Sequence, residues 1–507
     1  MHAPSLALAA CFTLATLQAC TPLATVPPSP WPTIQSAPGT PRPPFKFAQD
    51  DDQLLDEIAR GSFNFLWHEV NATGMVPDRS SKPQLVSVAG VGFQLTAFCI
   101  GAERGWVTKP QAQERALRII RALTAETNNR KDGMFYHFID GTTGGFPNGT
   151  PEDAVSTIDS ALLFAGVLTA GQYFGGEIQT LSETLVAQAN WNAFVLRDGV
   201  PDYERDVIAL AWTPTDPKNP TGPGKLKPYG WVDSGDEHRL VTFFAVAAPN
   251  EAYRVDPTMY YRLRRPLGTH NSQPMVYLPW SGAHFVNFFA HCWINYAAMP
   301  PDDPAAFGQA NRARVDWWEN SRRQTILHRD NAIAAAAKFP NLGPNSWGLT
   351  ASDCPTGYCV PGVFPTPLRL PEERADWDHP KYEPKDDFAD GTISPYGAVS
   401  SIAFEPAKAL SAARHMKSLN IQGAARPLWD DPLNVRPGGG FGFADAYHVP
   451  RGWVAEDHLS IDHGPMLIMI ENARTGLSWR LFSAHPWVAA TGKRLGWTTA
   501  SNTIKAR

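Results

Sequence analysis

The sequence lacks the motifs that bring a metal ion, a phosphate group or a serine nucleophile into an active site. It holds no H-E-x-x-H pair or close histidine cluster with ligand spacing, no glycine-rich phosphate loop of the G-x-x-x-x-G-K kind, and no G-x-S-x-G elbow. No metal and no cofactor is therefore expected. Basic runs interleaved with aromatics are missing as well. The 44 basic and 49 acidic residues leave a net charge of −5, too mild to point to a nucleic-acid partner. Beyond the N-terminal segment no apolar run reaches the length of a transmembrane helix. Cysteine is scarce, six in 507 residues. Cys11 and Cys20 belong to the N-terminal segment, and Cys99 and Cys292 lie in apolar runs and read as buried thiols. Cys354 and Cys359 bracket the turn sequence Pro355-Thr356-Gly357-Tyr358. That spacing fits a small disulfide loop in an oxidising compartment better than a metal site, since a lone C-x4-C has no second pair.

The chain begins with an apolar stretch, Leu6 to Leu17, of signal-peptide length. Leu17-Gln18-Ala19-Cys20 resembles a bacterial lipobox, which implies cleavage before Cys20 and lipidation of its thiol. The alternative is an ordinary cleaved signal peptide. Thr21 to Phe47 is proline-rich and reads as a semi-extended spacer with nothing to pack. The expected organisation is a signal segment over residues 1–20, a tether over 21–49 and one folded domain over 50–507. The address implied is an exported periplasmic or outer-membrane lipoprotein, expected to be a monomer.

From Asp50 onward apolar residues recur at helical spacing. Helices are expected over Asp50 to Val70, Val86 to Arg104, Lys109 to Thr127, Val155 to Phe174, Ser182 to Phe194, Glu237 to Ala248, Gly308 to Ala336, Ala398 to Leu419 and His463 to Asn472. Short strands are expected near Lys225 to Trp231 and Met275 to Leu278. Helices apolar nearly all round tend to alternate with helices polar on one face. Two concentric helical layers satisfy that alternation, so the expected fold is all-α, an (α/α)6 barrel. An irregular helical bundle satisfies it too.

The chemistry gathers in loops and at helix starts. Tyr229 to Leu240 packs three acids, a histidine, an arginine and two aromatics ahead of an apolar run. Glu237 at that helix start is read as a proton donor or as a capping acid facing the helix dipole. Asp233 and Asp236 would hold its proton on, with Trp231 as an apolar wall. Other candidates are Arg79, His137, Asp159, Trp347, Asp353, Asp390, Asp445 and Asp462. Each has a plainer reading: Asp159 and Asp462 as N-caps, Asp390 and Asp445 as turn acids, His137 as a satisfied loop histidine, Trp231 and Trp347 as core. An excess of carboxylates with aromatics and no cofactor motif is the inventory that acetal cleavage needs, one acid to protonate the leaving oxygen and one carboxylate to direct water.

Nine short words stand in order along the chain: Pro77-Asp78-Arg79, Ser87 to Phe93, Phe135 to Phe138, Ser156 to Leu163, Asp236-Glu237, Trp347 to Asp353, Asp390 to Pro395, Gly442 to Ala446 and Ile461 to Trp479. From about Asp50 to Trp479 they resemble the bacterial glycoamylase-like family that includes the endo-β-1,2-glucanases, glycoside hydrolase family 144. The resemblance implies an (α/α)6 barrel and an inverting, metal-free glycoside hydrolase with β-1,2-glucan as leading substrate. It sets Glu237 at the position of the acid. Asp159 falls on the Glu of an Asp-x-x-Glu-Thr motif, where Ser156 replaces the Asp. Asp445, or failing it Asp390, is expected to activate water. Arg79, His137, Trp231, Trp347, Asp353 and Asp462 are expected to bind substrate. The alternatives are another linkage such as α-1,4, a lyase, or a glycan-binding protein without activity.

Overall fold

Two helices, Val88–Glu103 and Thr157–Phe174, form the centre of the molecule, and both are buried on nearly every face. The computed structural model describes residues 31–147, 154–368 and 384–497. The two helices meet backbone to backbone. A Cβ on Gly92 would lie 2.3 Å from the Leu162 carbonyl oxygen, and one on Gly166 would lie 2.0 Å from that of Gly92. Only glycine permits that approach. Helix Ser460–Arg474 packs on the first of these, Val88–Glu103, and is likewise buried, and a Cβ on its Gly464 would strike the Phe93 ring. Around them lie one-faced helices. Lys109–Ala125 buries Ala112, Ala116, Ile119, Ile120 and Leu123, the spacing of a single stripe, and opens with a capping box between Thr108 and Gln111. The expected alternation of wholly apolar and one-faced helices is thus present. Among the described residues the strands are short, none exceeding four residues, and lie in the loops between helices.

Several helix boundaries differ from expectation, each for a local reason. The Ser182–Phe194 helix is two elements. Helix Gly176–Ala187 starts earlier, and a 3₁₀ turn over Trp191–Phe194 is capped by the Asn190 side chain. The helix expected from Gly308 begins only at Trp317, where Asp316 accepts the Glu319 N–H. The Ala398 to Leu419 run is broken. Helix Pro395–Val399 and a 3₁₀ turn over Ser400–Ala403 precede helix Pro406–Ser418, whose first residue has no N–H to continue the earlier one. Helices Leu477–Ala484 and Pro486–Arg494 were not foreseen. The strands near Lys225 and Met275 are Gly224–Leu226 and Gln273–Val276.

The signal segment and Cys20 lie outside the described residues. The described part of the proline-rich stretch has partners, contrary to the expectation that it has nothing to pack. Trp31 and Ile34 are buried. Ile34 exchanges backbone hydrogen bonds with Arg314 and Asp316, and the Phe45 N–H donates to the Ala473 carbonyl at 2.7 Å. Arg42 pairs with Asp316 and lies over the Trp318 ring, 4.6 Å from its centroid. Proline-rich chain is already extended, so fixing it costs little entropy, and two apolar anchors with one ion pair suffice to hold it. Replacing Arg42 with Ala leaves the buried Asp316 carboxylate without its guanidinium. We predict a loss of about 1–3 kcal/mol of stability on chemical denaturation.

Candidate active site

Three helix starts are stitched together by the loops that precede them. The Val88 N–H donates to the His137 carbonyl, and the His137 N–H donates to that of Ala154, three residues before helix Thr157–Phe174. The Ser460 N–H donates to the Asp78 carbonyl, and Arg79 bridges to Leu459. Trp231 Nε1 donates to Thr157 Oγ1 at 2.8 Å, tying the approach of helix Asp236–Ala247 to the same place. Asp159, Glu237 and Asp462 each stand in the first turn of one of these helices.

Glu237 is buried, with 9 % of its surface exposed, and no hydrogen bond or ion pair reaches it among the described residues. Loss of hydration raises its pKa well above the ordinary carboxyl value, and the charges of Asp159 and Asp236 add to the rise. Its neighbour Asp236 goes the other way. Burial alone would raise it, but His291, Arg239 and the backbone N–H groups of Ala290 and His291 all favour its charged form, and its pKa falls. Asp233, expected to act on Glu237, instead pairs with Arg264 at 3.0 Å. The role it was given falls to Asp159. Asp159 in turn lies 3.7 Å from His137 Nε2, and its N–H is capped by Ser156 Oγ at 3.3 Å.

A second group of acids is arranged around Arg79. Its Nη1 reaches both carboxylate oxygens of Asp353 at 3.1 Å and Asp457 Oδ2 at 3.2 Å, while Nε lies 3.5 Å from Asp78. Asp457 also accepts from Ser80 Oγ, the Ser81 N–H and Ser81 Oγ, which holds its pKa low. The Asp353 N–H donates to Asp445 Oδ2 at 2.7 Å. Asp445 and Asp462 are both buried and lie close enough for each carboxyl to shift the other's proton affinity. Burial raises the pKa of both; the charge of Asp353 adds to the rise at Asp445 and that of Asp445 to the rise at Asp462, while the contact with Asp462 eases the rise at Asp445. Asp78 feels Arg79, His137 and Asp159 at once and so links the two groups.

The structure thus gathers Arg79, His137, Asp159, Glu237, Asp353, Asp445 and Asp462. It does not gather two of the expected residues. Asp390 accepts from the Thr392 N–H and hydroxyl and lies 3.5 Å from Arg451, a turn acid with a lowered pKa. Trp347 is fully enclosed and presents no face to a ligand. Trp231 is nearly enclosed, its ring 4.5 Å from that of His238, and is not an open platform. An exposed aromatic beside it is Trp280, parallel to His238 at 5.6 Å and 43 % exposed. Asp78, Asp457, Trp280 and Tyr358 were not assigned from sequence. Asp78 and Asp457 each adjoin a charged or ionisable residue, but nothing in the sequence brings those segments to one arginine.

Glu237 yields a stability test. Between its unfolded-state pKa of about 4.3 and its raised native value, the native protein holds a proton that the unfolded chain has lost. Its contribution is present at low pH and is lost as pH rises. Glu237→Gln should therefore raise the Tm at pH 8, and the difference should close toward pH ~4.

The chain can now be placed among known proteins. The family model Glycoamylase, described as "Putative glucoamylase", matches residues 228–486, just over half of the chain. An exo β-1,2-glucooligosaccharide sophorohydrolase (non-reducing end) of Parabacteroides distasonis is 24 % identical over 469 residues. That match covers 87 % of this chain and 57 % of the relative, so the chain spans little more than half the relative's length. The endo-β-1,2-glucanase of Chitinophaga pinensis, solved with sophorotriose and glucose, superposes with a TM-score of 0.68 at 22 % identity, over 89 % of this chain and 99 % of the other. A β-1,2-glucanase of Parabacteroides distasonis gives a TM-score of 0.69 at 21 % identity, over 89 % and 60 %. At these identities the likeness to the solved structures is one of fold. The extent of the family match, with Glu237, Asp445 and Asp462 all inside it, makes the chain a member of the Glycoamylase family.

Proposed function

We propose that this protein is a glycoside hydrolase that cleaves a glucan, β-1,2-glucan first among them, with inversion and without a metal or cofactor. The observation that carries the reading is Glu237, a buried carboxyl with no donor or cation upon it and two acids close by. A raised pKa is what the acid of acetal cleavage needs, since it must still hold its proton when it meets the glycosidic oxygen. The Asp445–Asp462 pair has a raised proton affinity, which suits a base that takes a proton from water. Asp445 fits the base role better than Asp390, and the Asp353 N–H orients it. Inversion needs room for water, so Glu237 and Asp445 should stand roughly 6.5–9.5 Å apart. Arg79, His137, Asp159 and Asp353 would hold the sugar.

The sophorohydrolase relative and the β-1,2-glucanase folds support a β-1,2-linked substrate. Ser156 does not argue against activity, because its hydroxyl caps the Asp159 N–H as an Asp in that place could. The same likeness supports an (α/α)6 barrel over residues 50–507, with 31–49 packed on its outside. We further propose export with a lipid on Cys20, a reading the Cys354–Cys359 disulfide favours, and a monomer.

A panel of β-1,2-, β-1,3-, α-1,4- and mixed glucans tests this reading. We expect reducing ends from β-1,2-glucan, with the first product inverted by polarimetry. Binding of a glucan without new reducing ends would make the protein a binding module, and an ultraviolet-absorbing unsaturated product would make it a lyase. Asp445→Asn should lower kcat by at least ~10²-fold, whereas Asp390→Asn should leave it near wild type. The reverse order would return the base role to Asp390.

A further inference from the structure

The two cysteines of the C-x4-C turn are joined, Cys354 to Cys359. They close a hairpin in which Ser352–Cys354 pairs antiparallel with Gly357–Cys359. Asp353 and Tyr358 stand directly opposite one another in it. Residues opposed in an antiparallel pair project from the same face. The Asp353 side of that face is the candidate active site, where its carboxylate meets Arg79 and its N–H meets Asp445. Tyr358 therefore overlooks the acids, and its hydroxyl lies within electrostatic range of Asp462, Asp445, Asp78 and Arg79. Yet the side chain is 62 % exposed and makes no hydrogen bond among the described residues. Packing does not explain a large aromatic held there. A hairpin of this length has too few ladder bonds to hold its own register, and the disulfide supplies that constraint.

Resting on the hydrolase reading above, we propose that Tyr358 is a substrate-contacting residue, its ring against the face of a sugar and its hydroxyl among the sugar hydroxyls, and that the Cys354–Cys359 disulfide holds it in place. A sugar face is apolar in the middle and polar at the edge, and a tyrosine offers the matching pattern. Because the hairpin carries both Asp353 and Tyr358, a sugar held by Tyr358 is registered against the Asp445–Asp462 pair.

The test uses the full-length protein and β-1,2-gluco-oligosaccharides. Tyr358→Ala should raise KM at least ~10-fold, about 1.4 kcal/mol of lost binding, with a smaller change in kcat and an unchanged Tm. Tyr358→Phe should recover most of that loss through the ring alone. Replacing both cysteines with Ser should raise KM in the same direction, and in that background Tyr358→Ala should add little. An active wild type whose KM is unmoved by Tyr358→Ala overturns the proposal and leaves the hydrolase reading intact. Additive effects of the cysteine and tyrosine changes overturn the role of the disulfide. A wild type inactive on every glucan overturns the hydrolase reading and this inference with it.

Discussion

The Arg79 guanidinium is what allows so many acids to share one small volume. Gathering carboxylates out of water is costly unless each finds a cation or a set of donors. Arg79 touches Asp78, Asp353 and Asp457 directly and favours the charged forms of Asp445 and Asp462. These acids draw the pKa of Arg79 upward in return, so its charge is fixed across all working conditions. Acids with enough donors stay ionised, as Asp457 does. Those without enough are left to hold protons. Glu237 has no such partner, and the raised carboxyl that results follows from where the cation is absent.

The contrast between Asp236 and Glu237 makes the same point within two residues. Both lie in the first turn of one buried helix, where the dipole favours a negative charge on each. Asp236 receives His291, Arg239 and two backbone N–H groups and becomes an ordinary buried anion. Glu237 receives none of them and, buried, feels the charge of Asp159 instead. Neighbouring carboxyls pushed in opposite directions by their surroundings are the usual means by which one site obtains both an acid and an anion at a single pH.

The helices were legible because their signal is local. The apolar run of Val88 to Gly101 and the single stripe of Lys109–Ala125 can be read from spacing alone. Glu237, Asp159 and Asp462 were legible as acids at helix starts. The sequence did not reveal which acids meet. Asp457 and Asp353 are brought to Arg79 from far along the chain, and Asp233 is drawn away from Glu237 by Arg264. Trp347 and Asp390 misled because a motif does not show burial or a turn's own hydrogen bonds. Asp390-Gly391-Thr392 carried its plainer reading in view, since an Asp two residues before a Thr forms a closed turn unaided. Residues 31–47 misled for a related reason. Composition reports that they are extended, and it is silent on whether an extended segment has a surface to lie on.

Acid catalysis at this site turns on a proton at Glu237 near neutral pH. Infrared difference spectroscopy between the wild type and Glu237→Gln at pH 7 reads it directly. We expect the wild type to show one additional protonated-carboxyl C=O band, absent from the variant and lost on raising the pH. A difference spectrum with only an ionised carboxylate lost at pH 7 would contradict it.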